Sequence, residues 1–241
     1  MSTASNKRIE PDYNQILEMT LRACRVAREA AAAATEAVTR PSSGAQDGIK
    51  ALEEELDTLD REINEGVTVT IPRAPVEKTR ELLACLKIII ELERIGDLLL
   101  SFANRFSTCN DRLDPQDSKE LATMAGMLEH QLSDAGEAFS KRSTDLALSA
   151  LRADAELDRF RNLMVVRHIE NPQCEQRQES FHVVFMAQSL ERAGDHAKNV
   201  AEEVVQLVTG RSVRHLLRSY DKPIENMFVE YMRKKGAARR R

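Results

Sequence analysis

Two heptapeptides, "ELERIGD" at 91–97 and "SLERAGD" at 189–195, read almost alike. In each, a Glu and an Asp stand four residues apart: Glu93 with Asp97, and Glu191 with Asp195. On an α-helix such residues share a face, with Cβ atoms about 5–6 Å apart, and two like charges so placed repel unless something positive sits between them. Both phrases lie within long stretches of helical pattern. "LLACLKIIIELERIGDLLLSF" is the most apolar run in the chain, yet it carries Lys87, Glu91, Glu93, Arg94 and Asp97. A membrane span needs about 20 residues with few charges, so this run is expected to pack inside a protein instead.

Working outward, each phrase has an acidic partner upstream. "EEELDTLDREI" from Glu53 and "DAELDRFRNLM" from Asp154 share Glu-Leu-Asp, at Glu55–Asp57 and Glu156–Asp158. These two stretches are offset by 101 residues and the two LER phrases by 98, so each half reads as three helices with acid pairs on its second and third. A tandem duplication of three-helix units explains the pattern better than chance. The expected organisation is a first unit over 9–108, a second over 117–216, and a C-terminal extension over 217–241. Breakers such as "RPSSGAQDG", "STCNDRLDPQDS" and "ENPQC" predict helices near 9–39, 46–65, 75–107, 117–141, 144–169 and 173–209, with a further one near 211–235. "VTVTI" has β-type residues but no second strand to pair with, which predicts an extended connector. Ile49, Leu52, Leu56, Leu59 and Ile63 form one apolar stripe, and Phe181, Phe185, Ala193, Val200, Val204 and Leu207 another.

Composition agrees with an all-α chain of one large or two small domains. Its 241 residues include only 9 Gly, 7 Pro and 4% aromatics, with 31% charged residues. A net charge of −4 argues against a whole-chain electrostatic binder of nucleic acid. Cys24, Cys85, Cys109 and Cys174 are far apart with no C-x-x-C pair, which argues against a zinc ribbon or a disulfide scaffold and suits a reducing cytoplasm. The opening "MSTASNKRIEPDYN" is polar, with no leader pattern, so the expectation is a soluble cytoplasmic protein.

Four acid pairs thus stand out: Glu53/Asp57, Glu93/Asp97, Asp154/Asp158 and Glu191/Asp195. A solvated charged face is the bland reading of any one pair. Carboxylates within an apolar stripe, as around Glu93 and Asp154, are costly unless paired or metal-bound. Glu191, flanked by Gln188, Lys198, Asn199 and Glu202, fits a wet face equally well. Ligand type alone points to hard cations such as magnesium, manganese, calcium or iron, with zinc less favoured. A ferritin-like di-iron oxidase needs Glu-x-x-His on two helices, and the chain has none. Helix lengths leave the second-half pairs out of register by about 9 Å, so spacing does not establish that they face each other. A metal-dependent phosphohydrolase is the alternative from another class, but no nucleophile motif or Gly-rich phosphate cradle accompanies the acids. A plain structural bundle is the remaining one.

"LKIIIELERIGDLLLSFANR" and "FMAQSLERAGDHAKNVAEEV", followed by "QLVTGRSVRHL", resemble the third-helix motifs and closing segment of the PhoU family of phosphate-transport regulatory proteins. The resemblance covers about residues 12–216. It implies two three-helix bundles in tandem and no catalytic activity. It also implies metal sites, holding iron, zinc, manganese or magnesium, on Glu53, Asp57, Glu93, Asp97, Asp154, Asp158, Glu191, Asp195 and Asn199. The implied role is a negative regulator of the phosphate-starvation response that contacts a sensor histidine kinase and the ATPase of a phosphate ABC transporter, with a homodimer expected. An accessory subunit of a different phosphate transporter is the alternative within the family. The second phrase keeps the family continuation, Asp195-His196-Ala197-Lys198-Asn199, whereas the first reads Asp97-Leu98-Leu99-Leu100-Ser101. The motif therefore favours a metal site in the second half, although the first has the more apolar surroundings.

Two features remain. His182, His196 and His215 are scattered, and lone histidines are more often satisfied or surface residues than ligands. The tail "YMRKKGAARRR" gathers Arg233, Lys234, Lys235, Arg239, Arg240 and Arg241. It would suit peripheral contact with anionic lipid at the inner membrane face or with a partner. No aromatic interleaving favours specific RNA recognition, and a disordered solubilising end is the bland reading.

Overall fold

The computed structural model describes residues 12–41, 44–109, 112–170 and 177–212. Among these residues six helices follow one another: α1 Tyr13–Thr39, α2 Ala45–Thr70, α3 Val76–Cys109, α4 Pro115–Lys141, α5 Thr144–Glu170 and α6 Arg177–Thr209, with a 3₁₀ turn, Ile71–Arg73, after α2. The starts are chemically marked. Asp12 caps α1 in a reciprocal box, accepting from Gln15 N at 3.0 Å while its own N–H donates to Gln15 Oε1 at 2.8 Å. Asp114 caps α4 just before Pro115, whose missing N–H costs nothing in the first turn. At the α4–α5 corner Arg142 adopts φ 53°, an uncommon state for a non-glycine, and is anchored there by a bond to Phe139 O at 2.6 Å and a bridge to Glu81 at 3.2 Å.

α2 does not stop where its β-type tail predicts. It runs through "VTVT" to Thr70, because Val67 extends the buried stripe of Leu56, Leu59 and Ile63 by one more turn. With no strand to pair with, burying Val67 and keeping helical hydrogen bonds outweighs a modest propensity penalty. The α6 stripe also differs from expectation. Phe181 and Phe185 are exposed, at 64% and 48%, and the buried face is Val183, Met186, Ala187, Leu190, Ala193, Ala197, Val200 and Val204. The two phenylalanines lie off that line, and Phe185 instead carries the Arg105 guanidinium 4.6 Å above its ring.

α1, α2 and α3 form one three-helix unit, and α4, α5 and α6 the other. The units share a single hydrophobic core. α1 packs along α4 and α3 along α6, so the four inner helices join the halves, while α2 packs on α1 and α3 and α5 on α4 and α6. α1 suits the centre because Ala23, Ala27, Ala30, Ala31, Ala34 and Ala37 are buried and let neighbouring backbones approach closely. The apolar run of α3 is spent on this core: Ile88, Ile89, Leu92, Ile95, Leu99, Phe102 and Phe106 are all buried. Among the described residues no helix is long and apolar enough to cross a membrane. Gln131 ties the second unit together, donating from its amide to Ala150 O at 3.1 Å and Gly194 O at 3.2 Å. The extension over 217–241, with the six basic residues Arg233 to Arg241, lies outside the described residues, as does the helix expected near 211–235 beyond residue 212.

Candidate functional site

The glycine of each LERxGD phrase fixes how the acid-bearing helices meet. A Cβ on Gly96 would stand 2.8 Å from Leu56 Cδ1, and one on Gly194 would stand 2.6 Å from Leu157 Cδ1. Leu56 sits between Glu53 and Asp57, and Leu157 between Asp154 and Asp158. Each glycine is thus the socket for the leucine inside the facing acid pair, and the two pairs of each unit lie across one helix–helix groove. The Leu157–Gly194 contact sets the second-half register: it puts Asp154 and Asp158 across from Glu191 and Asp195, and Asp158 lies near enough to act on the Glu191 carboxyl. The mismatch of about 9 Å expected from helix lengths is absent.

The two grooves differ in charge. In the first, Glu53, Asp57, Asp60, Glu93 and Asp97 gather with little to offset them. Glu53 is raised above the usual carboxylate range by burial first, then by Asp57 and Asp97, with Lys50 opposing. Glu93 is raised by burial and by Asp97, with Arg94 opposing from 3.9 Å. Asp60 rises by burial despite accepting from Asn64 Nδ2 at 2.9 Å, and Asp57 adds to the rise. Among the described residues no hydrogen bond or ion pair falls on Glu53, Asp57 or Asp97. Asp57 and Asp97 are exposed, so the first groove is wetter than its apolar neighbours suggested.

The second groove is drier and already contains cations. Asp154, Asp158 and Glu191 are 6%, 9% and 7% exposed, which removes the wet-face reading of Glu191. Arg161 Nη2 donates to Glu191 Oε1 at 2.9 Å, Gln188 Nε2 donates to Glu191 Oε2 at 2.6 Å, and the Lys198 ammonium bonds Asp154 Oδ2. Burial still holds the Glu191 carboxyl above its ordinary range, with Arg161 opposing and Asp195 and Asp158 adding to the rise. Asn199 and His196 face the other way, across the unit boundary: both meet Glu91 Oε2 on α3, at 3.0 Å and 2.6 Å. Lys87 continues this seam by bonding Glu203 at 2.8 Å.

Among the described residues no three His, Cys, Asp or Glu side chains converge closely enough to hold a metal ion as they stand. The donor chemistry separates the grooves nonetheless. Crowded oxygen ligands with few cations beside them, of which Glu53, Asp60 and Glu93 are raised above the usual range, fit a hard cation. Carboxylates already bonded to a guanidinium and an ammonium do not. The residues that sequence reasoning missed are Asp60, Arg161 and Gln188, which make this difference, and Glu91, which meets His196 and Asn199 across the unit boundary. Applying the repeat offsets of 101 and 98 residues to every acid-groove position, not only the acids, would have exposed the first three.

The fold has counterparts. The PhoU domain model matches residues 20–106 and 121–204, one match per three-helix unit. The phosphate-specific transport system accessory protein PhoU homolog of Pseudomonas putida is 32% identical over 76% of this chain and 73% of its own. That of Pseudomonas aeruginosa is 31% identical over 80% of this chain and 82% of its own. The crystal structure of PhoU from Pseudomonas aeruginosa superposes with a TM-score of 0.73 at 26% identity, covering 82% of this chain and 97% of that one. The phosphate transport system regulatory protein PhoU from Streptococcus pneumoniae shares the fold, with a TM-score of 0.65 at 21% identity. With both matched segments lying on the two helical units whose glycine sockets align the acid pairs, the chain belongs to the PhoU family.

Proposed function

We propose that this chain is a non-enzymatic regulator of phosphate uptake, acting in the cytoplasm as a negative regulator that links a phosphate ABC transporter to a sensor histidine kinase. The observation that carries the reading is the family match over both units, together with relatives named as accessory proteins of a phosphate-specific transport system. The architecture supports an adaptor. Long rigid helices with a shared core present two separate outer faces, on α2 and on α5, for two partners. The first-groove acids Glu53, Asp57, Glu93 and Asp97 are the cation-binding element of this reading, since only the exposed Arg94 and the i−3 neighbour Lys50 oppose their raised carboxyls, whereas Glu191 and Asp154 are bonded to Arg161 and Lys198. A bound cation would relieve their repulsion and fasten α2 to α3, giving the outer face a metal-dependent rigidity. The basic tail residues Arg233 to Arg241 would add peripheral contact with the membrane that holds the transporter and the kinase.

The test is genetic and biochemical. A strain lacking the chain should express its phosphate-starvation genes in phosphate-rich medium, and the wild-type chain should restore repression. Purified chain should bind the transporter's ATPase subunit and the kinase's cytoplasmic part in surface-capture measurements. Normal repression in the deletion strain, with no capture of either partner with or without Mn²⁺, would defeat the proposal.

A further inference from the structure

The two acid grooves occupy equivalent places, yet at three positions the second carries a hydrogen-bond donor that the first lacks. At an offset of 101, Asp60 of α2 corresponds to Arg161 of α5. At an offset of 98, Ile90 of α3 corresponds to Gln188 of α6, and Leu100 to Lys198. Each difference places a donor on a second-groove carboxylate. Arg161 takes one oxygen of Glu191 and Gln188 the other, at 2.9 Å and 2.6 Å, while Lys198 takes Asp154. Arg161 is held in turn by Asn162, accepting from Nη1 at 2.8 Å. Its side chain is only 15% exposed and that of Glu191 8%, so this is not a loose surface pair. The first groove has an exposed isoleucine where the second has Gln188.

From this we infer that the second groove is a self-neutralised ion-pair lock in which Arg161 and Lys198 stand where a metal ion would otherwise act, so that it fastens α5 to α6 without metal. The inference rests on the reading that the acid grooves of this fold attract divalent cations, and it narrows that reading to one groove of two. The physical argument is competition. A cation entering the second groove must break a desolvated Arg–carboxylate bond and leave the displaced guanidinium largely buried beside the like charge of the metal, a penalty that the first groove, whose Arg94 is exposed, does not impose. The consequence is asymmetry. One unit is rigid whatever the metal supply, and the other is set by it.

The experiment uses the full chain and Mn²⁺ as the probe, read by equilibrium dialysis with elemental analysis and by circular dichroism for folding. In an E53Q/D57N/E93Q/D97N background, the inference expects loss of Mn²⁺ binding while Arg161 and Lys198 remain. Adding R161Q and K198M to that background should create Mn²⁺ binding at Asp154, Asp158, Glu191 and Asp195. The inference is overturned if the first-groove variant still binds Mn²⁺ and loses it on Glu191→Gln, or if the folded cation-free variant binds none. Should that variant not fold, paramagnetic broadening of wild-type amide signals decides. Broadening confined to α2 and α3 supports the lock, and broadening on α5 and α6 overturns it. A wild-type chain that binds no Mn²⁺ defeats the metal reading of the function. The lock then stands or falls on whether removing Arg161 and Lys198 creates binding.

Discussion

Replacing Gly194 by alanine puts the proposed helix register to a direct stability test. The new Cβ would stand 2.6 Å from Leu157 Cδ1 and 3.4 Å from Gln131 Oε1. Leu157 is fully buried in the shared core, so its methyl cannot retreat into solvent. Overpacking of this kind costs about 1–3 kcal/mol. Alanine recovers about 0.8–1 kcal/mol of helix propensity, which leaves a net loss of up to about 2 kcal/mol. Gly126, mid-helix in α4, is the internal control, because a Cβ there meets nothing within 4 Å. Gly126→Ala should therefore stabilise by up to about 1 kcal/mol through propensity alone. For a chain of this size the two variants should melt apart by several degrees, at about 2–4 °C per kcal/mol, with Gly194→Ala below wild type and Gly126→Ala above it. Gly96→Ala, facing Leu56 at 2.8 Å, should fall between them. Urea midpoints at unchanged m would check the order. If Gly194→Ala were as stable as Gly126→Ala, the glycine would not be the socket that sets the α5–α6 approach.

Three further outcomes are expected. Glu53 and Glu93 are raised in the folded chain, so the native state holds more protons than the unfolded one between the ordinary glutamate value of about 4.3 and the raised values; stability of the metal-free protein should fall as pH rises through that window, and E53Q/E93Q should flatten the slope in EDTA melts at pH 4 to 7. Asp117 behaves oppositely: burial pushes it up, but the His168 hydrogen bond and charge and the Arg167 pair outweigh that and hold it low. Its contribution is present above the ordinary aspartate range and lost as pH falls through its depressed value, so Arg167→Met should cost about 2 kcal/mol near pH 7 and much less in strong acid, and an equal cost at both would count against the pairing. Finally, burial pushes the Cys24 and Cys85 thiols up to about 12 and about 11, and both are shut in the core. At pH 8 a thiol at the higher value holds about three orders of magnitude less thiolate than an ordinary one, so an aromatic disulfide reagent should label these two only after unfolding.

Helix periodicity, breakers and the two repeat offsets were enough to read six helices in two units, because burying an apolar stripe every three or four residues is a local property of the chain. The four acid pairs were legible for the same reason, since i,i+4 spacing is a statement about one helix. What sequence left open was everything between helices. Whether the Asp154/Asp158 pair faces the Glu191/Asp195 pair depended on the relative register of α5 and α6, which no local signal fixed, and the Leu157–Gly194 contact sets it. Glu191 among polar neighbours looked wet, yet packing of α5 over α6 buries it, while Asp57 and Asp97 beside apolar residues are exposed because α2 lies at the outside of the bundle. His196 and Asn199, part of the most family-like stretch, turn toward Glu91 on the other unit. Charge balance is the clearest case. Arg161 and Lys198 are ordinary cations in the sequence. Only the groove that brings them to Glu191 and Asp154 makes them counter-ions, because Coulomb interaction acts through space and desolvation, neither of which a linear spacing records.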